Sequence, residues 1–280
     1  MLASSSSHDA TPAVPTAPDP AALRMGTVVE RLRAAGCVFA EDEAKLLLSA
    51  ARTPADLEDM VARRVAGLPL EHILGWAEFC GLRIAVDPGV FVPRRRTEFL
   101  VHEATSLAHP GAVILDLCCG SGALGTALAA TVDRIELYAA DIEPAAVRCA
   151  RRNIVPAGGL VYEGDLFDPL PETLRGRIDI VVANTPYVPT EAIGMMPPEA
   201  RVHEPRVTLD GGRDGLDVQR RVAAAASSWL ARGGHLLVEA SERQAPDAAA
   251  IFAASGLIPC IARSEDLDAT VVIGTRPPRS

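Results

Sequence analysis

The sequence predicts an α/β protein: a doubly wound, mostly parallel sheet of seven strands, with a small N-terminal helical domain and a connecting β-hairpin. Three observations predict it. From Ala112 onward, short apolar runs rich in β-branched residues alternate with stretches of helical periodicity. A glycine-rich turn, Gly120-Ser121-Gly122-Ala123-Leu124-Gly125, follows the first of those runs. Upstream of Leu70 the apolar residues fall at helical spacing instead.

Residues 1–20 are Ser, Ala, Thr and Pro with almost no apolar bulk, and are expected to be disordered. Residues 21–75 form the helical domain. Val28, Val29 and Leu32, then Ala44, Leu47 and Leu48, then Leu57, Met60, Val61 and Val65 mark its inward faces. Thr53-Pro54 reads as a helix cap followed by proline at the first helical position. Residues 76–95 form the hairpin linker, because Phe79, Leu82, Ile84, Val86, Val90 and Phe91 alternate around Asp87-Pro88-Gly89. Residues 96–280 form the α/β domain, opening with a helix over 98–107. Its strands are expected at 113–117, 135–140, 160–162, 178–183, 235–239, 257–260 and 270–273. Helices are expected at 122–130, 144–153, 217–230 and 245–254. The last two strands have no helix between them, so one is expected to run antiparallel.

With 280 residues, 49% of them hydrophobic, the chain can bury a sizeable core. Its formal net charge of −9 argues against a large nucleic-acid footprint. Arg94-Arg95-Arg96 reads as a solvated face beside a cleft. No apolar run is long enough to span a membrane, and the first residues lack the basic and apolar blocks of a secretory signal. The six cysteines show no Cys-x-x-Cys spacing and no histidine at zinc-ligand distance. Reduced, mostly buried thiols in a cytoplasmic protein without a metal site are expected.

In open α/β sheets, ligands bind just outside the carboxyl ends of the strands. Four expected strand ends carry polar groups there. Asp116 precedes the glycine turn, Asp141 closes the second strand, Asp165 follows the third in Gly-Asp-Leu-Phe, and Asn184-Thr185-Pro186-Tyr187 ends the fourth. Gly120, Gly122 and Gly125 satisfy the dinucleotide pattern, and Asp141 stands where an acid would hold ribose hydroxyls. Both a nicotinamide cofactor and S-adenosylmethionine meet these requirements. Three features favour the methyl donor. Asp116 can hold its amino group. Asp165 can receive the adenine amino group, between apolar walls of Leu166 and Phe167. The Asn-Thr-Pro-Tyr quartet has no purpose in a dehydrogenase.

Asp116 to Gly125, Asp141-Ile142-Glu143-Pro144 and Asn184 to Tyr187 resemble the class I S-adenosylmethionine-dependent methyltransferases, which have a Rossmann-like fold. More narrowly, Pro69 to Gly75, Val86 to Arg94, Thr97-Glu98, Arg201 to Arg206 and Gly211 to Asp217 resemble the protein glutamine N-methyltransferases. That resemblance covers about Leu23 to Gly274. It implies S-adenosylmethionine as cofactor, held by Asp116, Gly120, Ser121, Gly122, Asp141, Ile142, Asp165, Leu166 and Asn184. It implies catalysis at Asn184, Thr185, Pro186 and Tyr187, on a glutamine of a release factor or ribosomal protein gripped partly by the helical domain. A nucleic-acid amino group is the same-chemistry alternative, since an Asn-x-Pro-Tyr arrangement also suits exocyclic base amines. Five positions depart from the family pattern: Cys118 replaces a glycine, Thr185 a proline, Leu166 a common tryptophan, and Arg95-Arg96 a proline followed by an acidic or polar residue. His203 and Glu204 are expected to fix the loop after the quartet or to touch substrate backbone.

Overall fold

The computed structural model describes residues 20–278. The expected disordered stretch 1–20 lies outside the described residues except for Pro20. The chain packs as two compact units divided between Ala66 and Gly67.

The first unit holds α1 (Pro20–Ala34), α2 (Ala40–Ala50) and α3 (Pro54–Val65). Val28, Leu32, Ala44, Leu47 and Val61 are buried. Thr53 caps α3 as its sequence predicts: the hydroxyl accepts the Asp56 N–H at 3.1 Å, and Pro54 occupies the first turn, where no N–H is needed. Val65, expected inward, closes the last turn and is 41% exposed.

The second unit opens with α4 (Leu70–Leu74), β1 (Trp76–Phe79) and β2 (Leu82–Ala85). The hairpin turns at Cys80-Gly81, not at Asp87-Pro88-Gly89 as the alternation suggested. Cys80 and Gly81 both have positive φ, 50° and 72°, the two-residue turn whose twist suits paired strands. Cys is not a residue that advertises this turn, whereas Asp-Pro-Gly is. Asp87-Pro88-Gly89 does turn the chain, with Val90 N–H donating to the Asp87 carbonyl at 3.0 Å, but no strand pairs back across it.

Next come α5 (Glu98–Leu107), β3 (Val113–Leu117), α6 (Ala123–Thr131), β4 (Glu136–Asp141), α7 (Pro144–Ile154), β5 (Leu160–Glu163) and β6 (Ile178–Ala183). The chain continues through α8 (Pro198–His203), α9 (Asp217–Trp229), β7 (Leu230–Ala240), α10 (Ala245–Ala254), β8 (Ile258–Ser264) and β9 (Ala269–Thr275). The seven-stranded sheet has the order β5-β4-β3-β6-β7-β9-β8. Neighbours from β5 to β7 are parallel; β9 is inserted antiparallel between β7 and β8, as the missing helix required.

Both sheet faces are covered. Leu115, Leu117, Val181 and Val238 share one core with Val222, Trp229 and Phe252 of α9 and α10. Ile114, Ile180, Val182 and Leu237 share the other with Leu100, Leu124 and Leu128 of α5 and α6. This double burial is why β3 and β6 read as nearly continuous apolar runs, interrupted only by Asp116 and Asp179. The strand order reverses between β3 and β6, so a crevice opens at their carboxyl ends.

Asn153, near the end of α7, fixes the rim of that crevice. Its Oδ1 accepts the Ala85 N–H at 3.0 Å, and its Nδ2 donates to the carbonyls of Ala85 at 2.9 Å and Ser121 at 2.8 Å. One side chain thus ties the hairpin and the glycine turn to one helix. Asn153→Ala should cost roughly 1–3 kcal/mol, because it strands the Ala85 N–H and the Ser121 carbonyl and leaves the Ala85 carbonyl only the Cys149 thiol. Chemical denaturation of wild type and variant measures this, and equal stability would contradict it.

Candidate active site

The turn between β3 and α6 forces an unusual backbone: Cys118, Gly120 and Gly122 have φ of 57°, 54° and 77°. At Gly122 a Cβ would also approach Ile154 Cγ1 to 2.7 Å, so the glycine lets α6 pack against α7. Asp116 lies within β3, fully buried. Its Oδ2 accepts the Gly125 N–H at 2.8 Å in the first turn of α6, and its Oδ1 is buried without a partner. Burial pushes its carboxyl up to about 8. Asp116 and Gly122 do not line the crevice; they hold its floor from the layer beneath.

Gly120, Ser121, Asp141, Ile142, Asp165 and Leu166 do line it, together with Asn184, Thr185, Pro186 and Tyr187. Asp141 accepts the Gly120 N–H at 2.8 Å and the Glu143 N–H at 2.9 Å, and burial raises its pKa against those bonds. Ile142 is 51% exposed, an apolar side chain presented to the crevice. Asp165 is paired with Arg221 at 2.6 Å. Leu166 is held at φ 50°, a strained setting for a branched side chain. Phe167 is not the apolar wall its sequence position suggested. It is 4% exposed and stacks on Trp229 in the core, because the positive φ at Leu166 turns the chain inward.

The quartet begins where β6 ends. Asn184 Nδ2 donates to Thr97 Oγ1 at 3.4 Å, while its Oδ1 has no protein partner among the described residues. Thr185 is buried, and its hydroxyl also lacks a partner. The Tyr187 carbonyl accepts from Gln244 Nε2 at 3.0 Å. The Tyr187 hydroxyl donates to Glu239 Oε1 at 2.9 Å and accepts from Arg96 at 2.5 Å. Burial first, and the Glu239 charge second, push that hydroxyl well above the ordinary phenol range. The loop from Leu209 to Asp217 clasps the quartet: Val188 N–H donates to the Leu209 carbonyl, and a Cβ on Gly211 would lie 2.7 Å from the Pro186 carbonyl.

Several residues here escaped the sequence reading. Thr97 and Glu239 are both buried, and the Thr97 hydroxyl donates to Glu239 Oε2 at 2.6 Å. Arg96 Nε donates to Glu239 Oε1 at 3.1 Å, and Arg94 pairs with buried Glu204. The three arginines are therefore not simply a solvated face; two of them neutralise buried acids. A glutamate ending the apolar run from His235 was the available signal. The thiols are reduced as expected, with no disulfide among the six, but only Cys119 and Cys149 are buried, and Cys260 is exposed.

The methyltransferase small domain family matches residues 81–212. A release factor glutamine methyltransferase of Geobacter sulfurreducens is 39% identical over 78% of this chain and 76% of its own. A 4-amino-L-phenylalanine/4-methylamino-L-phenylalanine methyltransferase of Streptomyces pristinaespiralis is 36% identical over 71% of each chain. A methyltransferase from Pyrococcus furiosus shares the fold, with a TM-score of 0.55 and 15% identity over 79% of this chain and 99% of that one. With a methyltransferase fold, a strand-end crevice lined by the quartet, and this degree of identity over most of its length, the chain belongs to the release factor glutamine methyltransferase family.

Proposed function

We propose that this protein transfers a methyl group from S-adenosylmethionine to the side-chain amide nitrogen of a glutamine in a translation protein, a peptide-chain release factor first among them. The observation that carries the reading is the free acceptor of Asn184 at the crevice, beside a peptide carbonyl at position 185 that survives the exchange of proline for threonine.

The residues present fit the cofactor. Ile142 offers exposed apolar surface at the crevice, and Gly120 leaves open space where a Cβ would stand. Gly120, Ser121, Asp141, Ile142, Asp165 and Leu166 would hold it, with Asp141 accepting from hydroxyls, while Asp116 and Gly122 shape the floor. When bound, S-adenosylmethionine supplies an electrophilic methyl group. A glutamine amide is a poor nucleophile, because its nitrogen lone pair is delocalised into the carbonyl. Asn184 Oδ1 accepts one amide N–H and the Thr185 carbonyl the other, which directs the lone pair out of the hydrogen-bonding plane. Pro186 stiffens the turn, and Tyr187, tethered through its hydroxyl, forms a fixed wall. Alignment of this kind contributes on the order of 7–11 kcal/mol in favourable cases. No strong base is needed, since a methylated amide nitrogen releases its proton readily. In the same reading the helical domain over residues 21–75 helps to grip the protein substrate, and the enzyme works in the cytoplasm. Among the described residues, no helix is long and apolar enough to cross a membrane.

Incubation with release factors and the methyl donor, followed by intact-mass analysis and peptide mapping, should place one methyl group on one glutamine. Transfer only to a free aromatic amine or to nucleic acid would contradict the proposal. Asp141→Ala should weaken donor binding by roughly 1.5–3 kcal/mol. Calorimetry tests this, and unchanged affinity would remove Asp141 from the cofactor site.

A further inference from the structure

We infer that Thr97 and Glu239 are positioning residues that decide which end of the Asn184 amide faces the crevice. The inference rests on the role proposed for Asn184 and extends it to two side chains.

An asparagine amide is nearly symmetric in shape and opposite in chemistry at its two ends: Oδ1 accepts and Nδ2 donates. If Nδ2 faced the substrate, a donor would confront the N–H groups it must hold, and alignment would fail. Something must fix the orientation, and the hydrogen-bond chain does so by counting protons. Thr97 has one hydroxyl hydrogen. It goes to Glu239 Oε2 at 2.6 Å, the length of a charge-assisted bond. Glu239 Oε1 already accepts from Arg96 at 3.1 Å and Tyr187 at 2.9 Å, so the carboxylate is an acceptor on both sides. Thr97 is left with only lone pairs for its other neighbour. That neighbour is Asn184, which must offer Nδ2, at 3.4 Å. The opposite orientation would set two oxygens against each other. The order Asn184 to Thr97 to Glu239 is thus one-directional, and its consequence is an Oδ1 left free.

Reversing the chain should reverse the amide. In Glu239→Gln, Arg96 and Tyr187 still require an oxygen on their side, so the new NH₂ falls on the Thr97 side and donates to it. The Thr97 hydroxyl then turns its hydrogen toward residue 184. Asn184 would answer with Oδ1 and present Nδ2 to the substrate.

The experiment combines single-turnover transfer to a release-factor glutamine, donor affinity by calorimetry, and ¹⁵N–¹H spectra of the Asn184 side-chain amide, assigned against Asn184→Ala. Glu239→Gln and Thr97→Val should each slow transfer by about 100-fold, the scale of a small misalignment at the reacting atom. Donor affinity should change by no more than about threefold, which also reports an intact fold. Thr97→Ser, which keeps the hydroxyl, should restore most of the rate. The slowly exchanging Asn184 amide proton of wild type should persist in Thr97→Ser and disappear in Thr97→Val and Glu239→Gln. Asn184→Asp should transfer faster in the Glu239→Gln background than alone, because the reversed hydroxyl can donate to a carboxylate. Equal damage from Thr97→Ser and Thr97→Val, or an Asn184 amide unchanged in Thr97→Val, would overturn the inference. The spectra decide it even where wild type fails to methylate a glutamine, an outcome that would count against the substrate reading alone.

Discussion

The buried carboxylate of Glu239 organises the site. A carboxylate taken out of water is costly unless donors surround it, and here Arg96, Thr97 and Tyr187 all supply them. Those donors come from separate parts of the chain: the turn before α5, and the loop after β6. Glu239 itself lies near the end of β7, beside β6 in the sheet. Meeting the demand of one acid therefore fixes the Tyr187 ring, brings Arg96 over it, and aligns Thr97 with Asn184. A strand-end acid that would otherwise be a liability becomes the point from which the quartet takes its geometry.

Much of the fold was legible because a parallel sheet covered on both faces leaves a nearly continuous apolar run for each central strand, as at Val113–Leu117 and Ile178–Ala183, each with a single aspartate. Strand ends were legible because Asp141 and Asn184 interrupt those runs abruptly. The hairpin was misplaced for a local reason: its turn is made by Cys80 and Gly81, and the cysteine carries no turn signature, while Asp87-Pro88-Gly89 carries a strong one. Phe167 was misassigned because nothing in sequence reveals the positive φ at Leu166 that turns it into the core. Thr97 and Glu239 were missed because their bond joins residues far apart in the chain. Only the assembled sheet brings them together.

The departures from the family pattern have local explanations. Cys118 lines the crevice and takes a left-handed φ that a glycine would take without strain. Thr185 buries a hydroxyl without a partner, a cost a proline would not carry. In the proposed chemistry Thr185 contributes only its backbone carbonyl. Asn184, Tyr187, Thr97 and Glu239 contribute side-chain atoms, and all four are linked by hydrogen bonds through Glu239 and Thr97.

Whether Asn184 carries the chemistry is the point on which the functional reading turns. Single-turnover methyl transfer by Asn184→Ala, with donor affinity measured on the same preparation, tests it most directly. The expected result is a rate lowered by at least about 100-fold with donor affinity within a few-fold of wild type, since the acceptor acts chiefly in the transition state. Transfer at the wild-type rate would contradict it and make the quartet an ordinary turn at the end of a buried strand.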